Sequence, residues 1–333
     1  MTRPFPADRV RIPETLPSVP QEIPRPTPLR EEAGIKTMAH RVTQKPPWIR
    51  TRLTAGGRAP DVMDTVESLG LHTVCREAHC PNQHACFSRG TATFILLGPS
   101  CTRNCTFCAV KKAPPSVPDP LEPERVAEAV VRLGLSFCVL TMVTRDDLPD
   151  GGADHVARTI EAVRRRSPRA GIEVLVSDLK GRADSLKRVL EAGPQVLNHN
   201  LETVRRLYPE VRPQARYERS LELLARAASG TRAPVTKSGL MLGLGEEESE
   251  VIETLSDLRK AGCDLLTLGQ YLSPSEAHHP VVRYVPPEEF ETYERRALGL
   301  GFRGAACGPL VRSSYRAGEL YRQALGSVGG KVE

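Results

Sequence analysis

Six short apolar segments, each followed by a segment with helical periodicity, constrain the fold of this chain more than any other feature. The apolar segments are continuous and do not alternate with polar residues, as expected for parallel strands buried on both faces. They read TFILLG, SFCVLTMV, GIEVLVSD, QVLNHNL, VTKSGLMLGLG and DLLTLGQYL. The helical segments that follow begin at PERVAEA, GADHVAR, ADSLKRV, YERSLEL, EEESEVI and PEEFETY. This repetition predicts an α/β fold with a parallel sheet.

The repeated βα units favour a barrel over a doubly wound sheet, because no Gly-rich dinucleotide fingerprint follows a strand. Six units are fewer than the eight of a closed barrel, so we predict an open, partial (βα)6 barrel. In such folds the loops at the carboxyl ends of the strands hold the active site. The sequence divides into a Pro-rich leader (1–47), an N-terminal extension (48–92), the barrel (93–300) and a C-terminal extension (301–333).

The composition excludes several classes of protein. An apolar fraction of 40% over 333 residues supports one substantial core, and 5% aromatic residues argue against a nucleic-acid binder that stacks bases. The net charge of +6 is small beside 46 basic and 40 acidic residues. No apolar segment is long enough for a membrane helix, and the N-terminal sequence lacks the apolar core of a secretory signal. We therefore expect a cytoplasmic protein with neither a membrane nor a nucleic-acid partner.

The nine cysteines are expected to be metal ligands in part, because six of them cluster in two triplets. The second triplet is Cys101, Cys105 and Cys108, with the spacing C-x3-C-x2-C in the loop after the first predicted strand. Three thiolates there can bind three irons of a cubane cluster and leave the fourth iron open. A structural zinc site would need a fourth ligand, and the residues that follow include neither His nor Cys.

These features resemble the radical S-adenosylmethionine superfamily, whose signature is C-x3-C-x2-C after the first strand of a partial barrel. The resemblance implies that Cys101, Cys105 and Cys108 bind a 4Fe–4S cluster whose open iron chelates S-adenosylmethionine. Electron transfer would then give a 5′-deoxyadenosyl radical that abstracts hydrogen from an unactivated carbon.

The resemblance also suggests contacts to S-adenosylmethionine. The element GLMLGLGE is similar to the superfamily's adenine element, with Met241 in place of Ile. The predicted contacts are Asp147, Gly151 and Gly152 after the second strand, Asn200 and Glu202 after the fourth, and Gly243. The alternative is that these glycines and carboxylates only form turns and cap helices.

The first triplet is Cys75, Cys80 and Cys86, with the unusual spacing C-x4-C-x5-C. His79 and His84 lie within it, so the residues alone leave a mixed Cys/His zinc site open. The remaining cysteines, Cys138, Cys263 and Cys307, are expected to be small buried hydrophobes.

The order of both triplets, with blocks such as TRDDLPDGGA, VLNHNLETV, LTLGQYLSPS and GPLVRSSY, resembles the lipoyl synthase family. This resemblance implies a second, auxiliary 4Fe–4S cluster bound by the first triplet in the N-terminal extension. Its fourth ligand would be Ser313 of the RSSY motif in the C-terminal extension, with Cys307 as the rival. The auxiliary cluster would be consumed as the sulfur source.

The implied reaction inserts sulfur at carbons 6 and 8 of an octanoyl chain, using two molecules of S-adenosylmethionine. The implied substrates are octanoylated lipoyl carrier domains of 2-oxoacid dehydrogenase complexes or the glycine cleavage H protein. An electron donor such as ferredoxin or flavodoxin, and an iron–sulfur carrier protein, are further implied partners. The alternatives are another two-cluster radical sulfur-inserting enzyme, a two-cluster electron carrier and a zinc-binding interaction protein.

Overall fold

The computed structural model describes residues 45–50, 57–230 and 233–326, and the predicted leader lies almost entirely outside them. The strands are β1 His72–Thr73, β2 Thr93–Leu96, β3 Ser100–Cys101, β4 Lys111–Lys112, β5 Phe137–Met142, β6 Gly171–Leu175, β7 Val196–Asn198, β8 Val235–Leu242, β9 Leu265–Gln270 and β10 Gly304–Gly308. The α-helices are α1 Ala59–Ser68, α2 Val74–Glu77, α3 Gln83–Ser88, α4 Glu122–Arg132, α5 Ala153–Arg166, α6 Ala183–Glu191, α7 Tyr208–Val211, α8 Tyr217–Ala228, α9 Glu248–Lys260, α10 Pro287–Gly299 and α11 Ala317–Gly326.

All six predicted βα units are present, and the fold is α/β with a mostly parallel sheet. The sheet order is β1-β2-β5-β6-β7-β8-β9-β10, and every pairing from β2 to β10 is parallel. Strand β1 pairs antiparallel with β2 and forms one edge. Within the described ranges no pairing joins β1 to β10, so the sheet is open. This arrangement is consistent with a partial barrel.

The helices cover the outer face of the sheet with their apolar sides. Val126 and Val130 of α4 and Val156 and Ile160 of α5 are almost wholly buried in one core with the apolar residues of β2 and β5. Each such side chain contributes roughly 1.5–3 kcal/mol relative to an exposed one. No helix in the described part of the chain combines the length and the apolarity that crossing a membrane requires.

The start of α4 contains a buried polar pair. The Glu122 carboxylate accepts a hydrogen bond from the Leu97 amide at 2.8 Å and lies 2.7 Å from His155 Nε2 on α5. Because buried polar groups are costly unless they are paired, this contact fixes α4 against α5 and the end of β2. The same core holds Cys138 at 1% exposure, and Cys263 is fully buried in a second core, as predicted for both.

His199, which follows β7, gives the fold a pH dependence. Its Nδ1 lies 2.9 Å from the Val176 carbonyl oxygen and its Nε2 lies 2.9 Å from Ser220 Oγ. Burial, and then the charge of Arg212, lower the pKa of His199 from 6.5 to about 4. The unfolded chain takes up this proton near pH 6.5 and the folded chain only near pH 4. The contribution of neutral His199 to the free energy of unfolding is therefore fully present above pH 6.5 and is lost as the pH decreases toward 4.

The loss attributable to His199 reaches about 3 kcal/mol. We expect denaturant unfolding of the full chain before cluster insertion to show this decline, and His199→Asn to flatten it between pH 6.5 and 4. The carboxylates titrate in both proteins, so the difference between the two slopes of unfolding free energy against pH reports the contribution of His199. Identical slopes in the wild type and the variant would contradict the assignment.

Candidate functional site

A cavity of about 790 Å³ lies against the face of the sheet opposite the helices. Most of the strand residues that line it alternate along their strands, for example Val139 and Thr141 of β5 and Gly239 and Met241 of β8, in keeping with the two-residue period of a strand. All six triplet cysteines and Ser313 line the same cavity. The structure therefore brings together residues that the sequence separates by most of its length.

The second triplet lies in a loop that is fixed at several points. Cys101 ends β3, and the Thr102 amide and hydroxyl both donate to the Thr144 carbonyl oxygen, at 3.1 and 2.9 Å. Farther along, the Thr106 amide donates to the Val211 carbonyl oxygen at 3.0 Å. Because both flanks are hydrogen-bonded to other loops, the three thiols are held at one end of the cavity.

Arg103, between the first two cysteines of this loop, anchors it further. Its guanidinium donates to Asp146 at 2.7 and 3.0 Å and to Asp178 at 2.6 Å. Burial opposes ionisation of Asp178, but the hydrogen bonds and charge of Arg103 outweigh it and lower the pKa of Asp178 to about 2. The loop is thus tied to the ends of β5 and β6 by a buried ion pair.

The first triplet is distributed over two short helices. Cys75 lies in α2, whose first turn is capped by the Thr73 hydroxyl accepting from the Arg76 amide at 3.4 Å. Cys86 lies in α3, and Cys80 lies in the turn between the helices. The pairing of β1 with β2 attaches this segment to the edge of the sheet.

The two triplets form two separate electrostatic groups. Cys75 and Cys86 each interact with Cys80, whereas Cys108 interacts with Cys101 and Cys105. Burial raises the pKa of Cys75 and Cys108 to about 12 and that of Cys86 to about 11. These thiols are therefore protonated until a metal displaces the protons. In the described segments no three His, Cys, Asp or Glu side chains are arranged to hold a single metal ion.

Ser313 reaches the cavity on a segment held from three directions. Asn82, inside the first triplet, donates from Nδ2 to the Leu310 carbonyl oxygen at 2.6 Å. A Cβ on Gly269 of β9 would overlap the Val311 carbonyl oxygen, so only glycine allows this approach. The Ser313 hydroxyl accepts from Asn200 Nδ2 at 3.3 Å. Cys307, the predicted rival ligand, is not among the residues that line the cavity.

Asn200 and Glu202 also line the cavity, near the second triplet. Glu202 has a left-handed backbone (φ +67°). Two hydrogen bonds hold it, because its amide donates to the Gly239 carbonyl oxygen at 3.0 Å and its carbonyl oxygen accepts from the Met241 amide at 2.9 Å. Burial raises the pKa of this carboxyl, and the charge of Arg212 partly opposes that rise. A strained backbone of this kind persists only where the surrounding structure holds it in place, and such residues are common at ligand sites.

Arg212 completes this part of the cavity. Its Nη1 donates to the Asn200 and Leu201 carbonyl oxygens at 2.9 and 3.0 Å. Arg212 Nε and Asn200 Oδ1 are buried without a hydrogen-bond partner in the described residues. One unpaired donor and one unpaired acceptor beside a cavity point to a polar ligand, because such groups are rarely left unpaired.

The other predicted cofactor contacts lie outside the cavity lining. The Asp147 carboxylate is paired with Arg145 at 2.8 Å. Gly151 and Gly152 form the left-handed turn that starts α5, and a Cβ on Gly152 would overlap Leu97. Gly243 donates its amide to Glu246 Oε1 at 2.7 Å. These contacts shape turns, and a role for the four residues with S-adenosylmethionine stays a prediction.

Sequence patterns missed several residues of the site. Asn82, which lies inside the first triplet, and Gly269, which lies in the block LTLGQYLSPS, were given no role, and Arg212 is one of 46 basic residues. The only available signal was position, because Asn82 lies inside the first triplet and Gly269 lies at the end of the last predicted strand. Their function depends on long-range contacts, which local patterns do not reveal.

Comparison with known proteins finds relatives over most of the chain. The sequence model of the Radical SAM superfamily matches residues 95–269. Lipoyl synthase of Caldicellulosiruptor saccharolyticus is 52% identical over 277 residues, covering 83% of this chain and 97% of the relative. Lipoyl synthase of Rubrobacter xylanophilus is 48% identical over 323 residues, covering 95% and 98%. Lipoyl synthase of Thermus thermophilus is 52% identical over 282 residues, covering 84% and 87%.

Among solved structures, HydG, a maturase of the FeFe-hydrogenase, is similar in fold. The superposition has a TM-score of 0.50 at 16% identity and covers 63% of this chain and 50% of HydG. At this identity the likeness concerns the fold alone, and it agrees with the mostly parallel α/β sheet.

Proposed function

The chain belongs to the lipoyl synthase family of the radical S-adenosylmethionine superfamily, and from this premise we propose how its cavity serves the family's reaction. The enzyme inserts two sulfur atoms at carbons 6 and 8 of a protein-bound octanoyl chain, giving the lipoyl group. Membership implies one 4Fe–4S cluster and S-adenosylmethionine. The observation that carries the proposal is that both cysteine triplets and Ser313 line one cavity.

Cys101, Cys105 and Cys108 would hold the radical cluster. Their loop supplies three mutually interacting thiols and no fourth protein ligand, which fits a cubane with one open iron. The Arg103 amide also donates to Cys101 Sγ at 3.4 Å, a contact that stabilises a thiolate. When bound, the cluster and S-adenosylmethionine together supply hydrogen-atom abstraction from an unactivated carbon.

Asn200, Glu202 and Arg212 would bind S-adenosylmethionine. The unpaired Asn200 Oδ1 can accept from its ammonium or ribose hydroxyls, and Arg212 can donate to its carboxylate. The left-handed backbone of Glu202 directs its carboxylate into the same volume, where the ribose offers further donors. Because Asn200 and Arg212 are buried and Glu202 is half-buried, the part of the cofactor that they contact would be shielded from water.

Cys75, Cys80, Cys86 and Ser313 would hold the auxiliary cluster that supplies the sulfur. The hydrogen bond from Asn82 to Leu310 joins the triplet to the Ser313 segment, which supports a shared ligand set. A serine oxygen is a harder ligand for iron than a thiolate is, so this bond suits a cluster that must come apart. The pairing of two clusters in one cavity would give sulfur direct access to the carbon from which hydrogen is removed.

The remaining parts of the proposal concern partners and location. An octanoylated lipoyl carrier domain would deliver its lysyl arm to the cavity, and a ferredoxin or flavodoxin would supply electrons. The cavity volume of about 790 Å³ lies within the range of small-molecule sites. The cytoplasm is the proposed location.

A single-turnover assay under anaerobic conditions tests the function. Reconstituted enzyme, S-adenosylmethionine and a strong reductant are mixed with an octanoylated lipoyl domain, and the domain is weighed by mass spectrometry. We expect a gain of two sulfurs together with 5′-deoxyadenosine. If 5′-deoxyadenosine forms and the carrier is unchanged, the assignment of the radical cluster stands and the assignment of the substrate fails. Another sulfur-inserting enzyme would give that result.

Ser313→Ala tests the proposed fourth ligand in the same assay. We expect 5′-deoxyadenosine formation to stay within about threefold of the wild type while the lipoyl product falls at least about tenfold, because only the auxiliary cluster loses a ligand. Ser314→Ala is the matched control, since Ser314 is the neighbouring serine of the same motif and has no proposed role. Equal loss of 5′-deoxyadenosine and product in Ser313→Ala would contradict the division of labour between the clusters.

A further inference from the structure

A charged pair is buried beneath the cavity and contacts the Ser313 backbone. Lys237 Nζ on β8 lies 2.9 and 3.0 Å from the two carboxylate oxygens of Glu173 on β6, and both side chains are fully buried. Asn198 on β7 donates from Nδ2 to Glu173 at 2.9 Å. The third proton of the ammonium is directed to the Ser313 carbonyl oxygen at 2.6 Å.

The register of the strands explains why this pair reaches Ser313. Glu173 is two residues before Leu175, and Lys237 is two residues before Gly239, so both share the face of the residues that line the cavity. They lie nearer the start of their strands and therefore deeper beneath the cavity. The pair thus lies beneath the cavity and contacts the Ser313 segment from below.

Stability alone is a weak reason for such a pair. Transferring two charges from water into a protein interior costs more than their attraction commonly returns, and apolar residues of similar volume often stabilise a fold as well or better. The ammonium uses all three donors here, two on Glu173 and one on Ser313. Its contact with Ser313 uses the carbonyl oxygen and leaves the hydroxyl available to the cavity.

We propose that Lys237, held by Glu173, is a positioning residue that fixes the Ser313 backbone so that its hydroxyl meets the auxiliary cluster. This inference rests on the proposed ligation by Ser313. A serine oxygen binds cluster iron less readily than a thiolate does, so its ligation depends more strongly on being held in place beforehand. Asn82 and Gly269 fix the same segment at Leu310 and Val311, and Lys237 fixes it at the ligand itself.

The test replaces both charges at once, because a single replacement would leave an unpaired buried charge. In the full chain carrying Lys237→Met and Glu173→Leu, we expect faster amide hydrogen exchange in peptides that cover residues 310–316, both before and after cluster reconstitution. The lipoyl product should fall about 10- to 100-fold, with 5′-deoxyadenosine formation within about threefold of the wild type. If this double variant does not fold, Lys237→Gln with Glu173→Gln gives the same two readouts.

Glu122→Gln is the matched control, since the Glu122 carboxylate is also buried and its hydrogen bonds join it to His155 Nε2 at 2.7 Å and to the Leu97 amide at 2.8 Å, away from the Ser313 segment. It should change neither the exchange of residues 310–316 nor the ratio of product to 5′-deoxyadenosine. Unchanged exchange in the double variant overturns the positioning role, whatever binds the cluster. Faster exchange with an unchanged product yield overturns it too.

The premise is tested separately by Ser313→Ala. If that variant keeps the full product yield, the proposed ligation fails, and the exchange experiment still reports whether Lys237 anchors the segment. If Ser313→Ala and the double variant lose product to a similar extent while both retain 5′-deoxyadenosine formation, both proposals are supported.

Discussion

Replacing Cys105 by alanine is expected to abolish both 5′-deoxyadenosine formation and sulfur insertion, lowering each by a factor of about 10⁵ or more. Cys105 lies in the middle of the second triplet and interacts with Cys101, Arg212 and Glu202. Its loss would remove one of the three proposed protein ligands of the radical cluster, and the chemistry that the cofactor supplies would be lost with it. Anaerobic assays of 5′-deoxyadenosine and of lipoyl product, with iron and sulfide determined on the same sample, measure the effect.

Cys138→Ala is the control for the loss of a thiol as such. Cys138 is almost wholly buried in the core and does not line the cavity. This variant should keep the iron content and both products of the wild type. If Cys105→Ala retained substantial 5′-deoxyadenosine formation, the second triplet could not be the radical site.

Replacing Cys80 by alanine should separate the two activities. We expect lipoyl product to fall to background, at least about 100-fold, while 5′-deoxyadenosine formation continues within about threefold of the wild type. Cys80 interacts with Cys75 and Cys86, the other members of the first triplet. Iron analysis should therefore show one cluster fewer, with the remaining cluster still able to accept an electron.

His84→Ala offers a matched control for Cys80→Ala. His84 lies in the same segment, at the start of α3, but does not line the cavity. It should leave both iron content and product unchanged, and a loss of product there would favour the mixed Cys/His site that the sequence left open. Loss of 5′-deoxyadenosine in Cys80→Ala would mean that the clusters are not independent.

The main elements of the fold were predictable because their signals are local. The predicted segment SFCVLTMV contains β5, and GADHVARTIEAVRRRS contains α5, with a difference of one residue at each end. The spacing of Cys101, Cys105 and Cys108 also lies within one loop. Periodicity and motif spacing are properties of short windows, so a single sequence carries them.

The remaining parts of the fold and site depend on contacts between distant segments. Strand β10 has the sequence GAACG, whose small residues have low β propensity, and it forms because β9 provides a partner. Lys237 and Glu173 lie in predicted strands, where charged residues argue against burial until their pairing is known. Ser313 was assigned only through a family resemblance, since a pair of serines carries no chemical signal of its own.

The hydrogen bond between Asn82 and Leu310 joins residues separated by 228 positions, and this has a consequence for biosynthesis. A ribosome that adds about 5–20 residues per second needs roughly 10 to 50 s to travel that distance. During this interval the nascent chain carries the first triplet without the segment that covers it. On the proposed ligand set, a stalled or truncated chain cannot complete the auxiliary cluster. The full proposed ligand set of that cluster is therefore available only in chains that have been synthesised past Ser313.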